Sequence, residues 1–177
     1  MTAAADLLID ALGRVKETVH GAIEGLDDAR LTYRLDPQAN SIGWLVWHLT
    51  RVQDDHLAEV AGTAQMWTHD GWAQRFGLPF DDTAIGYGHD SAEVAAVQAP
   101  AGLLLGYHDA VHESSTAWLT TVEDSDLARV VDERWDPPVT LAVRLVSVVD
   151  DCIQHAGQAA FVRGVAERMA GAAPDLR

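Results

Sequence analysis

A chain of 177 residues that is 48% hydrophobic and 22% charged has the length for one domain with a continuous core. It also has the balance of an ordinary globular protein, which excludes global disorder. A net charge of -15 repels phosphate polyanions and excludes nucleic acid as a partner.

The opening run MTAAADLLIDALGRVKETV has no basic cluster ahead of its apolar residues and is broken by Asp6 and Asp10, so no secretory signal is expected there. Instead Leu8, Leu12, Val15, Val19 and Ile23 recur at helical spacing and predict an amphipathic helix ending near Gly25. Turn residues Asp36, Pro37 and Asn40 follow. Ser41 is placed to N-cap a second helix whose inner stripe is Leu45, His48, Leu49, Val52 and Asp55 or His56, flanked by Trp44 and Trp47. Residues 63–99 carry Gly71, Gly77, Pro79, Gly86 and Gly88. They are expected to form a long irregular crossover with one short helix near Trp72 to Phe76, and a loop of that length is a candidate cover for the end of the domain.

Pro100 suits the first turn of a third helix, with Leu104, His108, Val111, Ser115, Trp118 and Val122 on one face. That helix should end by the acidic turn at Glu123 to Asp126. The stretch RVVDERWDPPVT reads as a loop, because Pro137 and Pro138 deny a helical start before Thr140. The last helix has the most regular pattern: Leu141, Leu145, Val148, Cys152, His155, Ala159, Val162 and Ala166 form a seam buried against other helices. Four long helices with no alternating strand pattern predict an all-α four-helix bundle, residues 1–177 forming a single domain with the long crossover between helices two and three. No segment approaches the ~20 apolar residues that span a bilayer, so no membrane partner and a cytoplasmic location are expected. The single cysteine, Cys152, fits a reducing compartment.

The fourth-helix seam is apolar until it meets Asp151 and His155, which lie one turn apart and project side by side. An unpaired carboxylate in a packed interior costs several kcal/mol, so Asp151 needs a cation, a hydrogen-bond partner or an edge open to water. His48 stands inside the otherwise apolar run IGWLVWHL on the second helix. Two histidines and one carboxylate from two facing helices make a three-ligand set that zinc, iron or nickel would tolerate. Metal-free readings stand beside it: hydrogen-bonded core histidines, an Asp151–His155 pair, or an Asp151–Arg144 ion pair. On the third helix, His108 and His112 read as core histidines rather than ligands.

The runs SIGWLVWHLTRVQDDHL and VTLAVRLVSVVDDCIQHAGQAAFVRG resemble the DinB superfamily, and within it the mycothiol-dependent maleylpyruvate isomerase-like and thiol S-transferase-like branch, over nearly the whole chain. The resemblance implies a four-helix bundle in which His48, Asp151 and His155 hold one divalent metal, zinc first, with nickel or iron as alternatives. Many relatives carry His at the place of Asp151, and the mycothiol-type branch carries an acidic residue, usually Glu, one methylene longer than Asp.

The implied activity is a metal-dependent enzyme that activates a low-molecular-weight thiol such as mycothiol for S-transfer or isomerisation of an electrophilic substrate. The alternatives are a non-catalytic, stress-related metal-binding bundle, or a hydrolase of the same fold. A homodimer is a candidate assembly, expected above all for the non-catalytic alternative. Trp67, His69 and Trp72 in the crossover are candidates to cover the substrate. Asp55 or His56 could close the ligand set. Cys152 reads as a buried seam thiol rather than a nucleophile, and Arg134 and Arg163 read as surface or capping residues rather than substrate anchors.

Overall fold

Helix α1 spans Ala3–Ile23, started by Thr2, whose hydroxyl oxygen accepts the Ala5 N–H at 3.2 Å. Leu12, Val15, Val19 and Ile23 are buried as the spacing predicts, while Leu8 stays half-exposed at the open end of the stripe. Gly25, at φ 77°, turns the chain in the left-handed region that other residues avoid. After a single turn, α2 (Asp28–Leu31), the chain enters α3 (Ile42–Ala61) through Ser41, whose hydroxyl oxygen accepts the Trp44 N–H at 3.1 Å. The computed structural model that gives this architecture describes residues 2–171.

The first two thirds of helix α3 are buried all round. Every residue from Ile42 to Asp54 is buried, so Trp44 and Trp47 are core residues and not flanking ones. The cause is position: α7 and α8 pack on two of its sides and the crossover covers a third, and its first two turns, Ile42 to Leu49, are apolar except for His48.

The crossover is not irregular throughout. It holds three short helices: α4 (Met66–His69), α5 (Trp72–Phe76, where one was expected) and α6 (Ser91–Ala96), the last opened by a capping box between Asp90 and Glu93. Trp67, Trp72 and Phe76 are buried, with ring centroids 5.3, 5.5 and 5.8 Å from Tyr107. This part of the crossover extends the core over α3 and α7.

Helix α7 (Ala101–Leu119) buries Leu104, Tyr107, His108, Val111, Ser115 and Leu119. His108 is fully enclosed, with Nδ1 3.1 Å from the Thr50 hydroxyl, and burial pushes its pKa down to about 3. It is a neutral core histidine. Residues 130–140, expected as a loop, form a small antiparallel hairpin of β1 (Val130–Asp132) and β2 (Val139–Thr140), pairing Val130 with Thr140 and Asp132 with Val139. Strands this short offer no alternation to read.

Helix α8 (Leu141–Gly171) completes the set of four long helices. Each long helix has two flanking neighbours, in the cyclic order α1, α8, α3, α7. The fold is therefore an all-α four-helix bundle, as expected. Arg163 donates to the carbonyls of Gly21 and Glu24 at 2.8 and 2.9 Å, capping the C-terminus of α1. Among the described residues, no helix is long and apolar enough to cross a membrane.

Candidate metal centre

Packing of α3 against α8 brings His48, Asp151 and His155 together: one ligand atom from each lies within 4.8 Å of the others. The imidazole centroids of His48 and His155 are 4.9 Å apart, and His155 Nε2 is 3.6 Å from Asp151 Oδ1. His48 is buried, whereas Asp151 and His155 are partly open. The seam of α8 runs through Val148, Cys152, Ala156 and Ala159, so His155 lies on its rim and not within it. Water reaches one side of the cluster, which lowers the cost of keeping Asp151 charged.

Two hydrogen bonds fix which imidazole nitrogens face inward. His48 Nδ1 donates to the Ile85 carbonyl, which can only accept. His155 Nδ1 donates to Gln158 Oε1 at 2.8 Å. Each ring therefore carries its proton on the outward nitrogen and presents the Nε2 lone pair, the arrangement by which neighbouring acceptors orient metal-binding histidines. Burial holds the His48 pKa below its ordinary value, which outweighs the opposing pull of the Ile85 carbonyl and of Asp151. The ring stays in the neutral form that a metal needs.

Asp151 supplies the third donor. Its Oδ2 is buried and has no hydrogen-bond partner, a costly state for a carboxylate oxygen unless a cation meets it. The metal-free alternative of an Asp151–Arg144 pair is not realised: Arg144 binds Glu59 Oε2 at 2.8 Å, His56 Nδ1 at 3.0 Å and Asp132 Oδ2 at 3.3 Å. Asp55 and His56 do not close the set either. Asp55 accepts from Gln65 at 2.7 Å, and the described residues contain no other group of three or more His, Cys, Asp or Glu side chains with converging ligand atoms. Two imidazole nitrogens and an unpartnered carboxylate oxygen fit a divalent cation.

The covering element differs from expectation. Trp67 and Trp72 are in the core and His69 is exposed against Asp70. The backbone at Ile85 and Gly86, the end of a strap that begins at Asp82, lies over His48 instead, and a Cβ built on Gly86 would stand 2.6 Å from His48 Nδ1. Trp44 walls the cluster, stacking on His48 at 4.6 Å and meeting His155 edge-on at 6.3 Å. Its indole N–H donates to His89 Nδ1 at 3.2 Å.

This strap is pinned by a buried network that sequence reasoning missed. Arg51, with no exposed surface, donates to the carbonyls of Ala84 at 3.2 Å and Asp82 at 3.5 Å, lies 3.6 Å from Asp54 Oδ2 and sits over the Trp67 ring at 5.1 Å. Asp54 in turn accepts from the backbone of Met66 and Trp67 and from the Tyr107 hydroxyl, at 2.9, 2.8 and 2.8 Å. A signal was present: an Arg and an Asp three apart, which lie side by side on one helix face.

The remaining candidates have other roles. Cys152 is buried beneath the Leu49 carbonyl, and burial pushes its thiol far up, so it is no nucleophile. Arg134 makes two side-chain hydrogen bonds to Asp132, at 2.9 and 2.8 Å.

A model of the family described as Mycothiol-S-transferase matches residues 7–168. A search of curated proteins finds no match. Among solved structures, the chain is 30% identical to one described as the conserved protein of locus from Enterococcus faecalis, covering 92% of this chain and 96% of that one with a TM-score of 0.86. By the extent of the family match and by its DinB-like bundle, this chain belongs to the mycothiol S-transferase family.

Proposed function

We propose that the chain is a metal-dependent thiol S-transferase in which His48, Asp151 and His155 hold one divalent cation, zinc in the first instance and nickel or iron as alternatives. The observation that carries this reading is the cluster itself: two Nε2 lone pairs pre-oriented by Ile85 and Gln158, facing a carboxylate oxygen that has no other partner. Three protein ligands are the number found in catalytic zinc sites, whereas structural sites close with four. When bound, the cation supplies Lewis acidity that keeps a small thiol such as mycothiol in its thiolate form near neutral pH.

The chain's own residues do the rest. His48 is held rigid by the strap and by Trp44, and Asp151 and His155 leave one side open for the thiol to enter. In the transfer the thiol sulfur forms a bond to an electrophilic carbon as the leaving group departs with its electron pair, and the thiol proton goes to solvent.

Residues 1–177 act as a single domain in this reading, in the cytoplasm, where small thiols are kept reduced. The exposed Val146, Ile153 and Phe161 on α8 give a homodimer an apolar face.

Cobalt substitution tests the proposal. Adding mycothiol to cobalt-loaded protein is expected to produce a thiolate-to-cobalt charge-transfer band that saturates with thiol. If no low-molecular-weight thiol produces such a band, the protein is not a thiol transferase of this kind.

A further inference from the structure

Asp151 borders a cleft of about 670 Å³, within the ~300–1,000 Å³ range of small-molecule sites. Its apolar walls come from Val52 and Ile85 beside the ligand cluster and from Val139 and Val143 at the hairpin and the start of α8. Tyr87 and Trp135 also line it, and they are 89% and 66% exposed. Four other tryptophans, Trp44, Trp47, Trp67 and Trp72, are buried. Two large rings held in water beside a cleft are a binding surface, since their area is hidden only when something lies against them.

The cleft's cations are already committed. Arg134 is spent on Asp132, and Arg144 is shared between Asp132 and Glu59. Hydrogen bonds from Arg134 hold the Asp132 carboxyl well below the usual carboxylate range. An anionic ligand would meet the free edge of the Arg134 guanidinium with the Asp132 carboxylate beside it and, in the metal-free protein, Asp151 as well, within a chain of net charge -15. The metal-free cleft therefore selects against negative charge.

We propose that this cleft is the acceptor site and that the acceptor is an uncharged, flat aromatic electrophile lying against Tyr87 and Trp135 with its reactive carbon toward Asp151. The assignment of the ligand as acceptor rests on the thiol-transferase reading; binding of the aromatic ligand does not. In the reaction the thiol sulfur bonds to the ring carbon, the carbon–halogen or equivalent bond breaks, and the leaving group departs as its anion.

The test uses 2,4-dinitrotoluene, an unreactive analogue of 1-chloro-2,4-dinitrobenzene, titrated calorimetrically into full-length protein with and without chelator. Saturable binding is expected in both conditions. It should weaken about tenfold in Trp135→Ala and comparably in Tyr87→Ala, the size of one lost ring contact. The anion 2,4-dinitrobenzoate should bind more weakly than dinitrotoluene. With metal and thiol present, Trp135→Ala should raise the KM for 1-chloro-2,4-dinitrobenzene and leave the KM for the thiol unchanged. Both side chains are exposed, so folding is spared. Equal binding by wild type and both variants, tighter binding of the dinitrobenzoate, or a KM effect confined to the thiol would overturn the proposal. Absence of the cobalt–thiolate band would instead remove the transferase reading and leave the metal-free binding result standing.

Discussion

Gly86→Ala is expected to lower metal affinity about tenfold to a hundredfold, the usual cost of disturbing a partner that orients a ligand. Gly86 has a φ of 95°, and an added Cβ would stand 2.6 Å from His48 Nδ1, 3.2 Å from His48 Cγ and 3.1 Å from Trp47 Cζ3. Neither ring can yield, because both are buried in α3 and His48 is stacked on Trp44. The strap must lift instead, which breaks the Ile85–His48 hydrogen bond and frees the ring to turn. Backbone strain adds a stability loss of ~1–3 kcal/mol. Gly88→Ala is the control: its φ is 75°, but a Cβ there meets nothing within 4 Å. It should lose stability through strain and keep its metal affinity. Metal titration and denaturant unfolding of the two variants check both statements, and equal metal affinities would show that the strap does not govern His48.

Arg51→Met should cost about 3–5 kcal/mol of stability, the range for leaving one member of a buried ion pair without its partner. Asp54 would remain buried against Tyr107 with its cation gone, and burial already pushes its carboxyl pKa upward. The carbonyls of Ala84 and Asp82 would lose their donor as well. Metal affinity should fall with stability, because the segment that orients His48 is no longer tethered. Adding Asp54→Asn to Arg51→Met removes the orphaned charge and keeps an acceptor oxygen for Met66, Trp67 and Tyr107, so it is expected to recover part of the stability and none of the metal affinity. Recovery of both would mean that Arg51 acts on the fold alone.

What was legible in the sequence was what rests on periodicity. The stripes of α1, α7 and α8 predicted which residues face inward, and Ser41 marked the start of α3. The ligand cluster was legible for a related reason: an imidazole stands out in the apolar run around His48, and a carboxylate and an imidazole one turn apart stand out beside the apolar stripe of α8. Asp151 and His155 are one turn apart on any helix, but their meeting with His48 required α3 and α8 to be neighbours, which the family resemblance implied and spacing did not.

The hidden parts depend on contacts between distant backbone segments. Nothing local says that the Ile85 carbonyl will meet His48 or that Arg51 will reach Ala84. The hairpin strands are too short to alternate, and the crossover tryptophans read as a lid because aromatic residues among glycines look the same whether they cap a core or cover a site. The Gly86–Tyr87–Gly88 run was the one local hint that backbone passes close to something there.

The central claim is that His48, Asp151 and His155 hold one divalent cation. Calorimetric titration of zinc into chelator-stripped protein tests it most directly, with His48→Ala, Asp151→Ala and His155→Ala beside wild type and Asp55→Ala as the control. The account predicts one equivalent of zinc for wild type and Asp55→Ala, and no stoichiometric binding for the three ligand variants. Full stoichiometry in His48→Ala and His155→Ala would contradict it.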